Sequence, residues 1–166
     1  MKITTKISTA CAILVLAGSA SAAGIHGAGH DATTIGKPGL ADKVTRTITI
    51  DMNDGMRFSP ASLLVKQGET IRFTIKNTGK LSHEFVLGTA KDLKSHYEVM
   101  KKNPEMEHAD DNMRTVKAGQ SGELLWQFTK AGTVDFACLH PGHFTAGMKG
   151  SIAVAPAKGN AQVASR

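Results

Sequence analysis

Apolar side chains alternate with polar ones in several short stretches of this chain, and that period of two constrains its fold more than any other feature. Residues Thr45 to Met52 place Ile48, Ile50 and Met52 on one face. Thr70 to Lys76 do the same with Ile71, Phe73 and Ile75, and Glu123 to Thr129 with Leu124, Trp126 and Phe128. Successive side chains of an extended strand point to opposite sides, so each stretch has one face to bury. Ser62 to Lys66, Glu84 to Leu87, Thr133 to Cys138 and Ser151 to Ala155 add further short strands. Turn-forming pairs separate them: Gln67-Gly68, Thr78-Gly79, Ala118-Gly119 and Ala131-Gly132. Short alternating strands at this spacing predict an all-β sandwich or barrel. Aromatic residues make up 5% of the chain, which predicts a core resting on Val, Ile, Leu, Met and Ala. One stretch departs from the pattern. Lys91 to Lys102 carries Leu93, Tyr97 and Met100 at helical spacing and meets Pro104, so a short helix is expected on a crossover between strands.

The N-terminus reads as an export signal over residues 1–22. Lys2 and Lys6 precede a short apolar run, Ala10 to Ala17, and then small residues, with cleavage expected before Ala23 or Gly24. The run is well short of the ~20 apolar residues that a membrane-spanning helix needs. No other run is long enough, so no membrane insertion is expected after cleavage. Of the two cysteines, Cys11 lies in the signal and Cys138 remains, which excludes a disulfide framework and a four-thiolate zinc site. Loss of Lys2 and Lys6 takes the formal net charge from +6 to +4. Basic residues are scattered and no aromatic platform accompanies them, so nucleic acid is not an expected partner. Residues 23–42, rich in Gly, Ala and Thr, read as a flexible arm containing His26 and His30. Residues 43–156 form the folded domain, and residues 157–166 a flexible tail.

The chemistry is concentrated in the C-terminal third. Cys138, His143 and Met148 stand in a Cys-x4-His-x4-Met pattern, in a loop between two expected strands, with Pro141-Gly142 to turn it. His83 follows the strand that ends near Lys76. Together they offer one thiolate, two imidazoles and one thioether, the donor set of a mononuclear type 1 copper site. A thiolate bonds strongly to copper, imidazole suits both of its oxidation states, and a thioether favours Cu(I). Two alternatives use fewer of these residues. A buried cysteine and scattered histidines serve as packing and surface in many proteins, and a Cys–His pair can be a nucleophile and its base. The nucleophile–base pair does not account for Met148 or for His83.

Around these residues the chain resembles the cupredoxins, and within them the periplasmic copper-tolerance cupredoxins of the CopI type. The resemblance rests on the ligand loop, on His83-Glu84-Phe85-Val86-Leu87-Gly88, Phe58-Ser59-Pro60, Trp126-Gln127-Phe128-Thr129 and Gly147-Met148-Lys149-Gly150, and spans most of Val44 to Ala155. It implies a Greek-key β-sandwich with copper near one end and His83, Cys138, His143 and Met148 as the four ligands. A second soft cluster, Met100, Met106, His108 and Met113, is a candidate for additional copper ions, against a packing role for its methionines. In the arm, His26 becomes the third residue if cleavage falls before Gly24. The free amine, two amides and an imidazole could then chelate Cu(II), with His30 close by. His140, between Leu139 and Pro141, is expected to face solvent rather than metal.

The function expected from this set is an exported copper protein. It protects the periplasm from excess copper by binding the ion or handing it to a partner protein. The alternative is a periplasmic electron-transfer carrier with a redox partner. No enzymatic role is expected, since Ala137 and Leu139 flank Cys138 where oxidases place histidines that wire the type 1 site to a second centre.

Overall fold

A computed structural model describes residues 34–157 except 105, 107 and 108. Among the described residues, ten strands, one α-helix and a 3-10 turn (Ala41–Lys43) follow in the order β1 (Lys37–Pro38), the 3-10 turn, β2 (Arg46–Asn53), β3 (Arg57–Ser59), β4 (Ser62–Lys66), β5 (Thr70–Asn77), β6 (His83–Gly88), α1 (Ala90–Lys102), β7 (Met113–Val116), β8 (Ser121–Gln127), β9 (Gly132–Ala137) and β10 (Lys149–Ala155). They form two five-stranded sheets, ordered β1-β8-β5-β2-β3 and β4-β10-β9-β6-β7. Most pairings are antiparallel, but β2 runs parallel to β5 and β4 parallel to β10. The chain crosses from one sheet to the other between β3 and β4, β4 and β5, β5 and β6, β7 and β8, and β8 and β9, consistent with a Greek-key sandwich.

The alternating stretches behave as their pattern dictates. Ile50 and Met52 of β2, Ile71, Phe73 and Ile75 of β5, and Leu124 and Trp126 of β8 all point into the space between the sheets, where they are buried. The expected aliphatic core needs amending. Five phenylalanines, Phe58, Phe73, Phe85, Phe128 and Phe136, join Trp126 inside. Phe58 meets Phe136 edge-on at 5.1 Å and Phe85 at 5.9 Å. Such pairs contribute about 0.5–1.5 kcal/mol beyond their area. Aromatics are few in this chain, but nearly all are inside it.

A second, smaller cluster lies outside the sandwich. Helix α1 covers the outer face of the second sheet with Leu93, Tyr97 and Met100, packed on Val86, Met113, Ala137 and Leu139. Thr89 caps the helix, its hydroxyl oxygen accepting from the Asp92 amide at 3.1 Å. The helix therefore starts one residue earlier than its periodicity predicts. Because α1 covers one face of β6 and the sandwich the other, all six residues of β6 are buried.

The folded body also begins earlier than expected. Residues 34–42, assigned by composition to the flexible arm, are docked. Ile35 is part of the main core, its carbonyl accepts from the Trp126 indole N–H at 3.2 Å, and β1 adds an edge strand on β8. Gly36 permits this approach. Its φ is +136°, and a Cβ there would overlap the Gln127 carbonyl and the Trp126 indole. Residues 1–33, with the signal, His26 and His30, lie outside the described residues.

Gly36→Ala is accordingly expected to detach β1 while leaving the sandwich folded, at a cost of about 1–3 kcal/mol. Thermal melting should show the loss, and the Trp126 indole proton should exchange faster. A melting temperature and indole exchange matching the wild type would refute the docking.

Candidate metal centre

Strand register brings the sequence-distant donors together. Antiparallel pairing sets Val86 of β6 opposite Ala137 of β9, and Ala137 opposite Lys149 of β10. The start of β6 and the loop from β9 to β10 are thereby held at one end of the sandwich. His83 is the first residue of β6, Cys138 opens the loop and Met148 ends it. The Cys138 amide donates to the Met148 carbonyl at 3.1 Å, and the Met148 amide donates to the His143 carbonyl at 3.1 Å. Gly142, with φ +88°, provides the turn expected of Pro141-Gly142. On the outside, Arg57 Nη1 donates to the Ala146 carbonyl at 2.9 Å and ties the loop to β3.

Within this frame His83 Nδ1 lies 3.2 Å from His143 Nδ1, and Cys138 Sγ lies 3.3 Å from His143 Nδ1. One donor atom from each of the three falls within 4.8 Å of the others. His83, Cys138 and Met148 are fully buried, while His143 is half-buried at the rim. Met148 sits in the main core cluster at the foot of the loop, beside Cys138. The donor chemistry fits copper: two imidazoles and a thiol converge on one point, with a thioether residue buried alongside.

Electrostatics favour a metal over a bare thiolate. Burial pushes the Cys138 thiol up to about 12, and the Glu84 carboxylate pushes in the same direction; amides of Glu84 and His140 act against them. The Glu84 amide donates to Sγ at 3.3 Å. A thiolate is costly here unless a cation compensates it, so metal binding and proton release are coupled. Burial also lowers His143, as do His83 and His140, which keeps its imidazole neutral and able to ligate.

The remaining expected residues are distributed differently. His140 was expected to face solvent. It is instead half-buried, edge-on to His143 at 5.5 Å, and its Nε2 is buried with no hydrogen-bond partner among the described residues. Met100 and Met113 pack in the second apolar cluster, whereas Met106 is 43% exposed. The two buried thioethers are therefore screened from solvent, and His108 lies outside the described residues. Two groups in contact with the donors escaped the sequence reading. Asp54 Oδ1 lies 3.1 Å from His83 Nε2, and Glu84, itself buried, accepts from the Leu139 amide at 3.3 Å. Asp54 stands in an Asn53-Asp54-Gly55 stretch that reads simply as a turn, and Glu84 in a strand that reads as half-buried.

The sequence profile of the family described as copper binding proteins, plastocyanin/azurin family, matches residues 44–155. The copper-resistant cuproprotein CopI of Rubrivivax gelatinosus is 53% identical over 133 residues, which cover 80% of this chain and 79% of that protein. The copper-resistant cuproprotein CopI of Pseudomonas aeruginosa is 36% identical, covering 83% of this chain and 89% of that protein. Among solved structures, auracyanin B superposes with a TM-score of 0.63 at 22% identity, covering 73% of this chain and 96% of its own. The reduced auracyanin of Roseiflexus castenholzii gives 0.59 at 27% identity, covering 68% and 99%.

The burial of Cys138 predicts a sluggish thiol. In protein stripped of metal by a chelator, iodoacetamide at pH 8 should alkylate Cys138 at least about a hundredfold more slowly than a small free thiol. Denaturant should abolish the difference. Rapid alkylation of the folded protein would contradict the buried, proton-retaining thiol.

Proposed function

The chain belongs to the plastocyanin/azurin family of copper-binding proteins, and from that premise we propose that it is an exported copper-resistance cuproprotein. It protects the periplasm by binding copper or passing it on. The observation that carries this reading is the convergence of the His83, Cys138 and His143 donors within 4.8 Å of one another, at the end of the sandwich where the loop closes on buried Met148. His83, Cys138 and His143 would hold the ion, with Met148 as the weak fourth ligand. Copper bound there supplies a thiophilic, one-electron redox centre. The protein's own part is to bury His83 and Cys138, keep the His143 imidazole neutral and hold the loop in one shape. A preformed set of this kind loses little conformational freedom on binding, which favours tight capture.

Copper resistance is supported by the CopI relatives, which carry that role in their names and align over about four-fifths of the chain. Export is supported by the Lys2, Lys6 and Ala10 to Ala17 pattern, and none of the described helices is long and apolar enough to cross a membrane. A non-enzymatic role is supported by Ala137 and Leu139 on either side of Cys138. One observation favours electron transfer as a second reading. Phe144, next to His143, stacks on Tyr97 at 4.8 Å under the Lys149 ammonium. That is a firm, positively charged rim beside the half-buried ligand, suited to an acidic redox partner.

Cu(II) added to the purified protein should give one tight site with an intense visible charge-transfer band, and Cys138→Ser should abolish the band. Survival of the band in that variant would overturn the assignment. Deletion of the gene should sensitise cells to excess copper, restored by the wild-type gene and not by Cys138→Ser. Normal tolerance combined with a respiratory defect would establish the carrier role instead.

A further inference from the structure

We propose that Asp54 is a positioning residue for copper, acting through His83 to fix its ligating tautomer and to bias the centre toward Cu(II). The inference rests on the reading that His83 ligates copper. The His83 ring is bracketed from both sides. Nδ1 faces the donor cluster, 3.2 Å from His143 Nδ1, while Nε2 faces Asp54 Oδ1 at 3.1 Å. The His83 side chain is wholly buried and that of Asp54 is 35% exposed, so the carboxylate stands in for the water this nitrogen does not reach.

The carboxylate is itself held in place. Its Oδ2 accepts from the Lys80 amide at 2.7 Å and its Oδ1 from the Leu81 amide at 3.2 Å. The turn that supplies these amides is anchored in turn. Asn77 Nδ2 donates to the Leu81 carbonyl at 2.7 Å and to the Val116 carbonyl at 2.9 Å, and the Thr78 amide donates to the Met52 carbonyl at 2.9 Å. Gly79 passes so close to Asp54 that any side chain there would overlap the carboxylate. A surface ion pair would not need a turn wrapped around one of its members.

The consequence follows from general metal-site chemistry. A carboxylate accepting the second N–H of a ligating imidazole fixes which nitrogen binds, orients the ring and raises its basicity. A negative charge one ring away also stabilises the more highly charged ion, so Cu(II) gains more than Cu(I).

The test compares wild type, Asp54→Asn, Asp54→Ala and Gly79→Ala. Nitrogen-15 NMR of the metal-free and Cu(I)-loaded proteins should place the His83 proton on Nε2 in wild type. Asp54→Asn, which keeps an acceptor but no charge, should preserve that tautomer. Asp54→Ala and Gly79→Ala, which remove or displace the acceptor, should weaken the preference. Cu(II) affinity should fall about 10–100-fold in Asp54→Ala, with Cu(I) affinity changing less. A tenfold selective loss appears as a reduction potential about 59 mV higher. Asp54→Asn should raise the potential in the same direction. A wild-type His83 proton on Nδ1, or unchanged potentials in both Asp54 variants, would overturn the inference. If Asp54→Ala does not fold, the wild-type tautomer and the Asp54→Asn potential decide. Failure of the underlying reading would look different: His83→Ala would leave the copper spectrum and affinity intact.

Discussion

The bond from the Cys138 amide to the Met148 carbonyl, 3.1 Å long, closes the β9–β10 hairpin at the edge of the donor cluster. With the loop closed there, Cys138 and Met148 are fixed side by side, and the nine residues between them must project His143 back over the end of the sandwich. The antiparallel pairing of β6 with β9 then sets His83 against that loop. Arg57 steadies the loop from β3, and the Glu84 amide holds the sulfur. His83 opens β6 while Cys138, His143 and Met148 share the β9–β10 loop, and the two units meet through one stretch of strand register. A one-residue slip would turn every side chain of the slipped strand to the other face.

This arrangement concentrates polar groups where the fold otherwise excludes them. His83, Glu84 and Cys138 are buried beside Phe85, Ala137 and Leu139. Unpartnered, such groups would be costly. Here each has a partner: Asp54 for His83, the Leu139 amide for Glu84, and the Glu84 amide and His143 for Cys138. The thiol keeps its proton until a cation offsets the charge, so the protein reserves the thiolate for metal. Burial thereby keeps the unpaired Cys138 from adventitious reaction.

The aromatic core and the helix cover make this possible. Phe58, Phe73, Phe85, Phe128 and Phe136 interlock between the sheets, and α1 seals the outer face of β6 with Leu93, Tyr97 and Met100. The strand that carries His83 is therefore packed on both faces. Met100 and Met113, two members of the soft cluster weighed as extra copper donors or packing, contribute to that seal. Their flexible apolar side chains fill the space between the helix and the sheet.

Period-two alternation in Thr70 to Lys76 and Glu123 to Thr129 was enough to name the strands, because a half-buried strand must repeat every second residue. The Cys138-x4-His143-x4-Met148 spacing was enough to single out a candidate donor loop, because donor type depends on side-chain chemistry alone. The docking of residues 34–42 was hidden, since a two-residue edge strand leaves no periodic trace and depends on the Trp126 indole and on room at Gly36. Asp54 was hidden too. Its carboxylate reaches His83 across a gap of 29 positions only after β2, β5 and β6 have been set in their sheets. Local pattern thus determined which residues are strands and which carry candidate donor groups. Tertiary structure alone decided which neighbours those side chains meet, because contacts between distant segments follow from strand register and packing, and neither leaves a mark at short sequence spacing.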